Sequence, residues 1–336
     1  MRTSLRLNND VSVDRLLEIA ALAESVGFDQ LWVSHDLFLR SAPVLMGVLA
    51  RATNRIQLGI GVLNPYSLHP AEIAMVAATM QEASRGRFLL GLAQGAEEFL
   101  GWAGIDHPSP LARTREAVHA IRTLLQGGRP ADATGVGASW RAEAYLRTGA
   151  APTPIYLGGM GPKMLELAGE LGDGALPLLF PPEHFSAAAA SVAAGVKRAG
   201  RELASIDLAA CIWCSIDADA QRARQALAVK LAYYGASFSP VLLRRVGLTP
   251  DDFRPIQAAM SAGHVERAMA MVTPAMLRLG IAGDVDQLVA RCWDLMEAGA
   301  THLSFGPPLG PDVVESVRLI GTQALPRLKT RRLEVT

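Results

Sequence analysis

Short apolar runs alternate with longer stretches whose apolar positions recur at helical spacing. The first pair is "SLRLNN", a strand, and "SVDRLLEIAALAESVGF", a helix that Ser12 is placed to cap and Gly27 to stop. The pairing recurs in "DQLWVSHD" with "APVLMGVLARAT", "IQLGIGVLN" with "HPAEIAMVAATMQEAS", and "RFLLGLAQG" with "PLARTREAVHAIRTLLQGG". It continues in "PIYLGG" with "GPKMLELAGELG", "GALPLLF" with "PEHFSAAAASVAAGVKRAG", and "IDLAACIWCSI" with "DADAQRARQALAVKLAYYG". "THLSFG" with "GPDVVESVRLIGTQALPRL" closes the series. Eight strand–helix units predict a parallel sheet with its helices outside, and their number fits a (β/α)8 TIM barrel better than an open doubly wound sheet. Residues from about 236 to 280 have helical but no strand patterning and read as a helical insertion before the last strand. No Pro- or Ser-rich linker divides the chain, so residues 1–336 read as a single domain.

In such a barrel the chemistry lies at the carboxyl ends of the strands. That rule selects Asn8 and Asn9, Ser34 to Asp36, Gly61 to Pro65, Ala93 to Glu98, Gly158 to Lys163, Leu178 to His184, Cys214 to Asp219, and Ser304 to Asp312. The turn "GGMGPK" carries the strongest phosphate signal. Gly158, Gly159 and Gly161 follow a strand, Pro162 suits a first helical turn, and Lys163 adds a cation. The spacing is not the dinucleotide pattern G-x-G-x-x-G, so it points to a single or mononucleotide-type phosphate. His35 and Asp36 end the second strand, where a carboxylate beside an imidazole suits proton handling. Glu97 and Glu98 are acid or base candidates just past the fourth strand, or simply an exposed pair opening a short helix.

Composition narrows the partners. The 336 residues carry no net formal charge, half are hydrophobic and 19% are charged. A neutral balance gives no reason to expect nucleic acid or an anionic membrane surface. A basic cluster in "LKTRRLEVT" reads as solvated surface. Of three cysteines, Cys211 and Cys214 spell C-x-x-C within an apolar strand, where positions three apart face opposite sides, so the thiols diverge. No ligand-spaced histidines suggest a metal, and no metal is expected. The N-terminus lacks a basic-then-apolar signal, no apolar run approaches a bilayer span, and a reducing cytoplasm is the natural setting.

The stretches "LGIGVLNPYSLHP", "RFLLGLAQG", "PIYLGGMGPKMLELAGELGDGAL", "DLAACIWCSIDADA" and "GPPLGPD" resemble the luciferase-like flavin/deazaflavin oxidoreductases. Within them the chain is most similar to the coenzyme F420-dependent methylenetetrahydromethanopterin reductases. The resemblance implies a (β/α)8 barrel with a helical insertion before its last strand. It implies F420 lying across the strand ends, with hydride moving to or from C5 of the deazaflavin, the phosphate on the Gly158–Lys163 turn, and Gly59 and Gly61 leaving room for the flat ring to approach the backbone. Cofactor contacts are implied for Asp36, Gly61, Val62, Asn64, Gln94, Gly95, Gly158, Gly159, Gly161, Pro162 and Lys163, with a cis peptide at Gly61–Val62. Catalytic roles are implied for His35, Asp36, Glu97 and Glu98, although the usual Asp-His order is reversed here. The implied substrate is a small-molecule imine, iminium or enone, and the implied assembly is a homodimer built on the early helices and loops. Alternatives on the same resemblance are an FMN-dependent monooxygenase and a non-catalytic flavin-binding relative.

Overall fold

In a computed structural model of the chain, which describes residues 1–136, 139–235, 238 and 240–330, the apolar runs form nine parallel strands. These are β1 (Arg2–Leu7), β2 (Gln30–Val33), β3 (Gln57–Leu63), β4 (Phe88–Leu92), β5 (Ile155–Gly159), β6 (Gly174–Pro177), β7 (Asp207–Ile216), β8 (Ile281–Gly283) and β9 (His302–Leu309). β1 pairs with β2 in the register Leu5↔Leu31 and with β9 in the register Ser4↔Ser304. β9 pairs with β7, and β7 with β6, so eight strands close into a barrel with helices outside, as the alternation predicted. β8 is the strand the patterning did not reveal. It has only three residues, one of them glycine, and pairs with the outer end of β7 (Cys214↔Ile281).

Alternation sorts the side chains of each strand. On β7, Ala209 and Cys211 turn into the barrel with Trp32, Leu89, Tyr156 and Leu176, while Leu208, Ala210, Ile212 and Cys214 turn out to the helices. The two thiols of "CIWC" therefore diverge, as expected from their spacing. All three cysteines are buried and unpaired, and burial pushes the Cys214 thiol up to about 12. Trp32 and Tyr156 meet edge-on in the barrel at 5.1 Å between ring centroids. Glycines make space for both rings: a Cβ on Gly59 would lie 2.3 Å from Trp32, and one on Gly174 2.1 Å from Tyr156. The expectation that Gly59 clears space for a bound ring is thus corrected, because the indole of Trp32 fills it.

The amino end of the barrel holds a buried polar cluster. Asp207 Oδ2 accepts from the Tyr156 hydroxyl at 2.7 Å and meets His302 Nδ1 at 3.2 Å and Arg2 Nη1 at 3.0 Å. His302 Nε2 lies 2.7 Å from Ser4 Oγ, which donates to Ser304 Oγ at 2.7 Å. Burial alone would raise the Asp207 pKa, but His302, Tyr156 and Arg2 more than offset it and hold the carboxyl at about 2.

Outside, Ser12 caps the helix Val13–Ser25 by accepting from Arg15 N–H, and Gly27 follows its end at φ +90°. The helices Pro162–Leu171 and Pro182–Arg198 cross with their backbones in contact. A Cβ on Gly169 would lie 2.0 Å from the Val192 carbonyl oxygen, and one on Gly195 1.8 Å from that of Glu166. Between the helix Ala220–Tyr234 and β8 lie four shorter helices, Pro240–Arg244, Pro250–Ser261, Val265–Ala270 and Pro274–Leu277. They pack Leu243, Phe253 and Ile256 against Trp213, Leu227 and Leu231 in a second core. The segment that joins them to the preceding helix, at 236, 237 and 239, lies outside the described residues, as does the C-terminal basic cluster from Arg331 onward. Among the described residues, no helix is long and apolar enough to cross a membrane.

Candidate functional site

The carboxyl ends of β1 and β2 are tied by one buried residue. Asn9 donates from Nδ2 to the carbonyls of Asp36 (2.9 Å) and Arg40 (2.7 Å), and its Oδ1 accepts from Ser34 Oγ (3.0 Å) and Asp36 N–H (3.3 Å). Ser34 Oγ also lies 2.9 Å from Asp36 Oδ2, so the carboxylate is held in place rather than left to rotate. β2 ends at Val33, so the strict alternation no longer separates His35 from Asp36. His35 Nδ1 accepts from Ala42 N–H at 3.3 Å, at the start of the helix Ala42–Ala52. Burial lowers its pKa against the opposing pull of Asp36, which favours the neutral imidazole, and the bond from Ala42 N–H favours the tautomer with its proton on Nε2.

The Gly61–Val62 peptide is cis, as the family resemblance implied; Pro307–Pro308, at the end of β9, is cis as well. The Val62 side chain projects over β4 and β5, with Cγ1 3.2 Å and 3.3 Å from the positions where Gly91 and Gly158 lack a Cβ. A side chain at Gly158 would press on Val62 before any ligand is considered. Asn64 is 5% exposed, and its Oδ1 accepts from the N–H groups of Tyr66 and Ser67. That turn leaves the Asn64 Nδ2 free to donate to a ligand. Gly95, at φ +82°, packs on Asn64; a side chain there would be both strained and 3.1 Å from Asn64 Cγ. The Gln94 carbonyl lies 2.8 Å from His107 Nε2, and that ring packs 4.6 Å from Tyr66.

Gly161 caps the helix Pro162–Leu171 through its backbone alone, with no side-chain hydrogen bond. The first-turn N–H groups of Lys163 and Met164 are thereby left for a ligand, and the helix dipole favours an anion there. Space is available, because nothing lies within 4 Å of a Cβ built on Gly161. Lys163 is exposed and faces Glu166 at 3.4 Å, a carboxylate also held by Arg198 at 2.8 Å. Glu97 and Glu98 are exposed in the first turn of the short helix Glu97–Trp102. Among the described residues there is no cluster of three or more His, Cys, Asp or Glu able to hold a metal.

Sheet order places these groups along one continuous arc of the rim. Asp36 follows β2, Gly61, Val62 and Asn64 come from β3, Gln94 and Gly95 follow β4, and Gly158 to Lys163 follow β5. Two groups on this arc are available to a ligand: the Asn64 side-chain amide, which can donate a hydrogen bond, and the helix terminus at Gly161, which favours an anion. Across the mouth, beside β7, stand residues the sequence did not single out. Lys230 Nζ lies 4.7 Å from the centroid of Trp213 and 4.6 Å from that of Tyr234. Its one legible sign is rarity, since the chain has only four lysines.

Comparison with known proteins accords with this geometry. The family described as luciferase-like monooxygenase matches residues 1–302. The 5,10-methylenetetrahydromethanopterin reductase of Methanolobus tindarius is 36% identical over 316 residues, which covers 93% of this chain and 95% of that protein. The enzyme of the same name from Archaeoglobus fulgidus is 34% identical, with 98% and 100% covered. The solved coenzyme F420-dependent tetrahydromethanopterin reductase of Methanopyrus kandleri superposes with a TM-score of 0.90 at 28% identity, over 97% of this chain and 99% of that one.

Proposed function

The chain belongs to the luciferase-like monooxygenase family, and from that membership we propose that it is an F420-dependent oxidoreductase of the methylenetetrahydromethanopterin reductase type. The bound deazaflavin supplies or accepts a hydride at C5, and the substrate is an organic imine, iminium or enone. The observation that carries this reading is the rim arc from β2 to β5, with its Asn64 amide and its helix terminus free of a side-chain cap, in a chain more than a third identical to such a reductase.

In this arrangement Asn64 Nδ2 would donate to the cofactor. The Gly61–Val62 peptide, Gln94 and Gly95 would border it, and Gly158, Gly159, Gly161, Pro162 and Lys163 would hold its phosphate. Ser34 and Asn9 fix Asp36, which orients the ring, and neutral His35 can hold or pass a proton at Nε2. Glu97 and Glu98, exposed on a short helix, are the second acid or base pair. The chain is one domain in this reading, with the short helices before β8 as its insertion.

The test is affinity, read by quenching of protein or cofactor fluorescence. F420 is expected to bind at least about tenfold more tightly than FMN, a gap of roughly 1.4 kcal/mol. Preference for FMN would instead favour the monooxygenase chemistry. Gly161→Asp sharpens the test. The site is open and at φ −97°, so the new carboxylate caps the helix itself, worth a few tenths of a kcal/mol over glycine, while occupying and repelling the phosphate position. Thermal stability is expected to hold or rise while F420 affinity falls about tenfold or more; undiminished affinity would move the phosphate elsewhere.

We further propose that a second copy covers the exposed apolar face of Val44, Val48 and Met75, on the helices Ala42–Ala52 and Pro70–Ser84. These residues are 66%, 38% and 58% exposed. Val48→Asp is expected to convert a dimer to a monomer in sedimentation velocity. A wild-type chain that sediments as a monomer at micromolar concentration would rule the dimer out.

A further inference from the structure

The rim arc from β2 to β5 leaves the opposite side of the mouth, formed by β7, β9 and β1, without an assigned ligand. Two cations stand there. Lys230 rests its ammonium against the faces of Trp213 and Tyr234, and among the described residues no carboxylate lies within ion-pair distance of it. Phe238 packs 5.5 Å from Trp213 and extends the aromatic wall. Arg6 reaches from β1 across to β7, where Nη2 donates to the Ile212 carbonyl at 2.7 Å, and its Nε is buried with no hydrogen-bond partner among the described residues. Gly306 makes that path possible, since a Cβ there would lie 2.3 Å from Arg6 Nη2. Among the described residues neither cation has a carboxylate in contact, and Asp10 and Asp36 act on Lys230 only from beyond ion-pair distance.

A cation withdrawn from water without a counter-ion is costly, and an anion delivered by a ligand offsets that cost. Aromatic faces on the same wall suit a planar apolar body. We propose that this arc is the substrate half of the mouth, and that Lys230, backed by Arg6, selects a substrate bearing a carboxylate on a planar apolar frame. The inference deepens the proposed function and rests on it in placing the substrate opposite the cofactor. The charge state is consistent. Burial is the main influence on Lys230 and Arg6 adds to it, while Asp10 and Asp36 pull the other way, leaving a pKa of about 8. The cation is therefore mostly present at pH 7 and is lost as pH rises through that value.

With four lysines in the chain, lysine-selective isotope labelling gives a spectrum in which K230R identifies the Lys230 signal by its loss. The probes are benzoate and its neutral counterpart benzamide, titrated into the cofactor-free protein. Benzoate is expected to shift the Lys230 resonance and to bind at least about fivefold more tightly than benzamide at pH 7, an advantage that fades above about pH 8. K230M should bring the two probes within about twofold of each other, and K230R should keep most of the preference. A Lys230 signal unmoved by benzoate, or equal binding of the two probes to the wild-type chain, would overturn the proposal. F420 is titrated separately. Its failure to bind would remove the redox assignment without touching the probe result, so the two readings fail independently.

Discussion

Gly195→Val is expected to lower the unfolding free energy by about 3 kcal/mol and to weaken F420 binding at the same time. Even alanine is excluded at this position, because its Cβ would lie 1.8 Å from the Glu166 carbonyl oxygen, a backbone atom that no rotamer change can move aside. Overpacking a tight contact costs roughly 1–3 kcal/mol, and valine adds two further methyl groups. The helix that must yield is Pro162–Leu171, whose first turn carries the proposed phosphate cradle. Displacing it by a fraction of an ångström misaligns the N–H groups, so a loss of about fivefold or more in F420 affinity should accompany the loss of stability. Ala194→Val, on the exposed side of the same helix, is the control and should stay within about 0.5 kcal/mol. The comparison is read from denaturation midpoints at constant slope. A Gly195→Val midpoint equal to wild type would mean that the two helices do not meet at their backbones.

Asp207→Ala should be costlier still, about 3–5 kcal/mol, because it strips His302 and the Tyr156 hydroxyl of their shared acceptor inside the barrel. Asp207→Asn keeps the shape and should cost less. The pH dependence identifies the cause. The Asp207 carboxyl titrates at about 2 in the fold against an ordinary 3.8, so folding favours its charged form. That contribution, about 2 kcal/mol, is fully present above pH 4 and drains away as pH falls toward 2. The Asn variant lacks this component, so the stabilities of the two proteins should converge in acid. Parallel curves down to pH 2 would show that the cluster does not hold Asp207 ionised.

The barrel was legible because each strand is a short apolar run and each helix has its own period, and these two signals need no tertiary information. β8 escaped because three residues including a glycine carry no period at all. At the rim, the strand-end rule found Asp36, Asn64, Gly95 and the Gly158–Lys163 turn, and the family resemblance supplied the cis bond at Gly61. Gly59 was read in the wrong direction. The sequence shows a missing side chain but cannot show that Trp32, on the neighbouring strand, fills the space. Lys230 was not legible either, because on the helix Ala220–Tyr234 it looks like any other solvated cation. Only the crossing of that helix over β7 lays it against Trp213. The Asp207 cluster joins residues from four strands, β1, β5, β7 and β9, a meeting that no local pattern encodes.

The three buried thiols give the chain its own clock for opening. Folded, each is shielded from solvent and shifted away from its reactive thiolate form, so a thiol reagent must wait for the structure to part before it can react. The three wait behind different doors. Cys211 lies inside the barrel, Cys214 between the barrel wall and its helices, and Cys292 on the inner face of the helix Val285–Glu297. Equal modification rates at all three would mean that barrel and shell come apart as one cooperative unit; a faster Cys292 would mean that the outer helix lifts first.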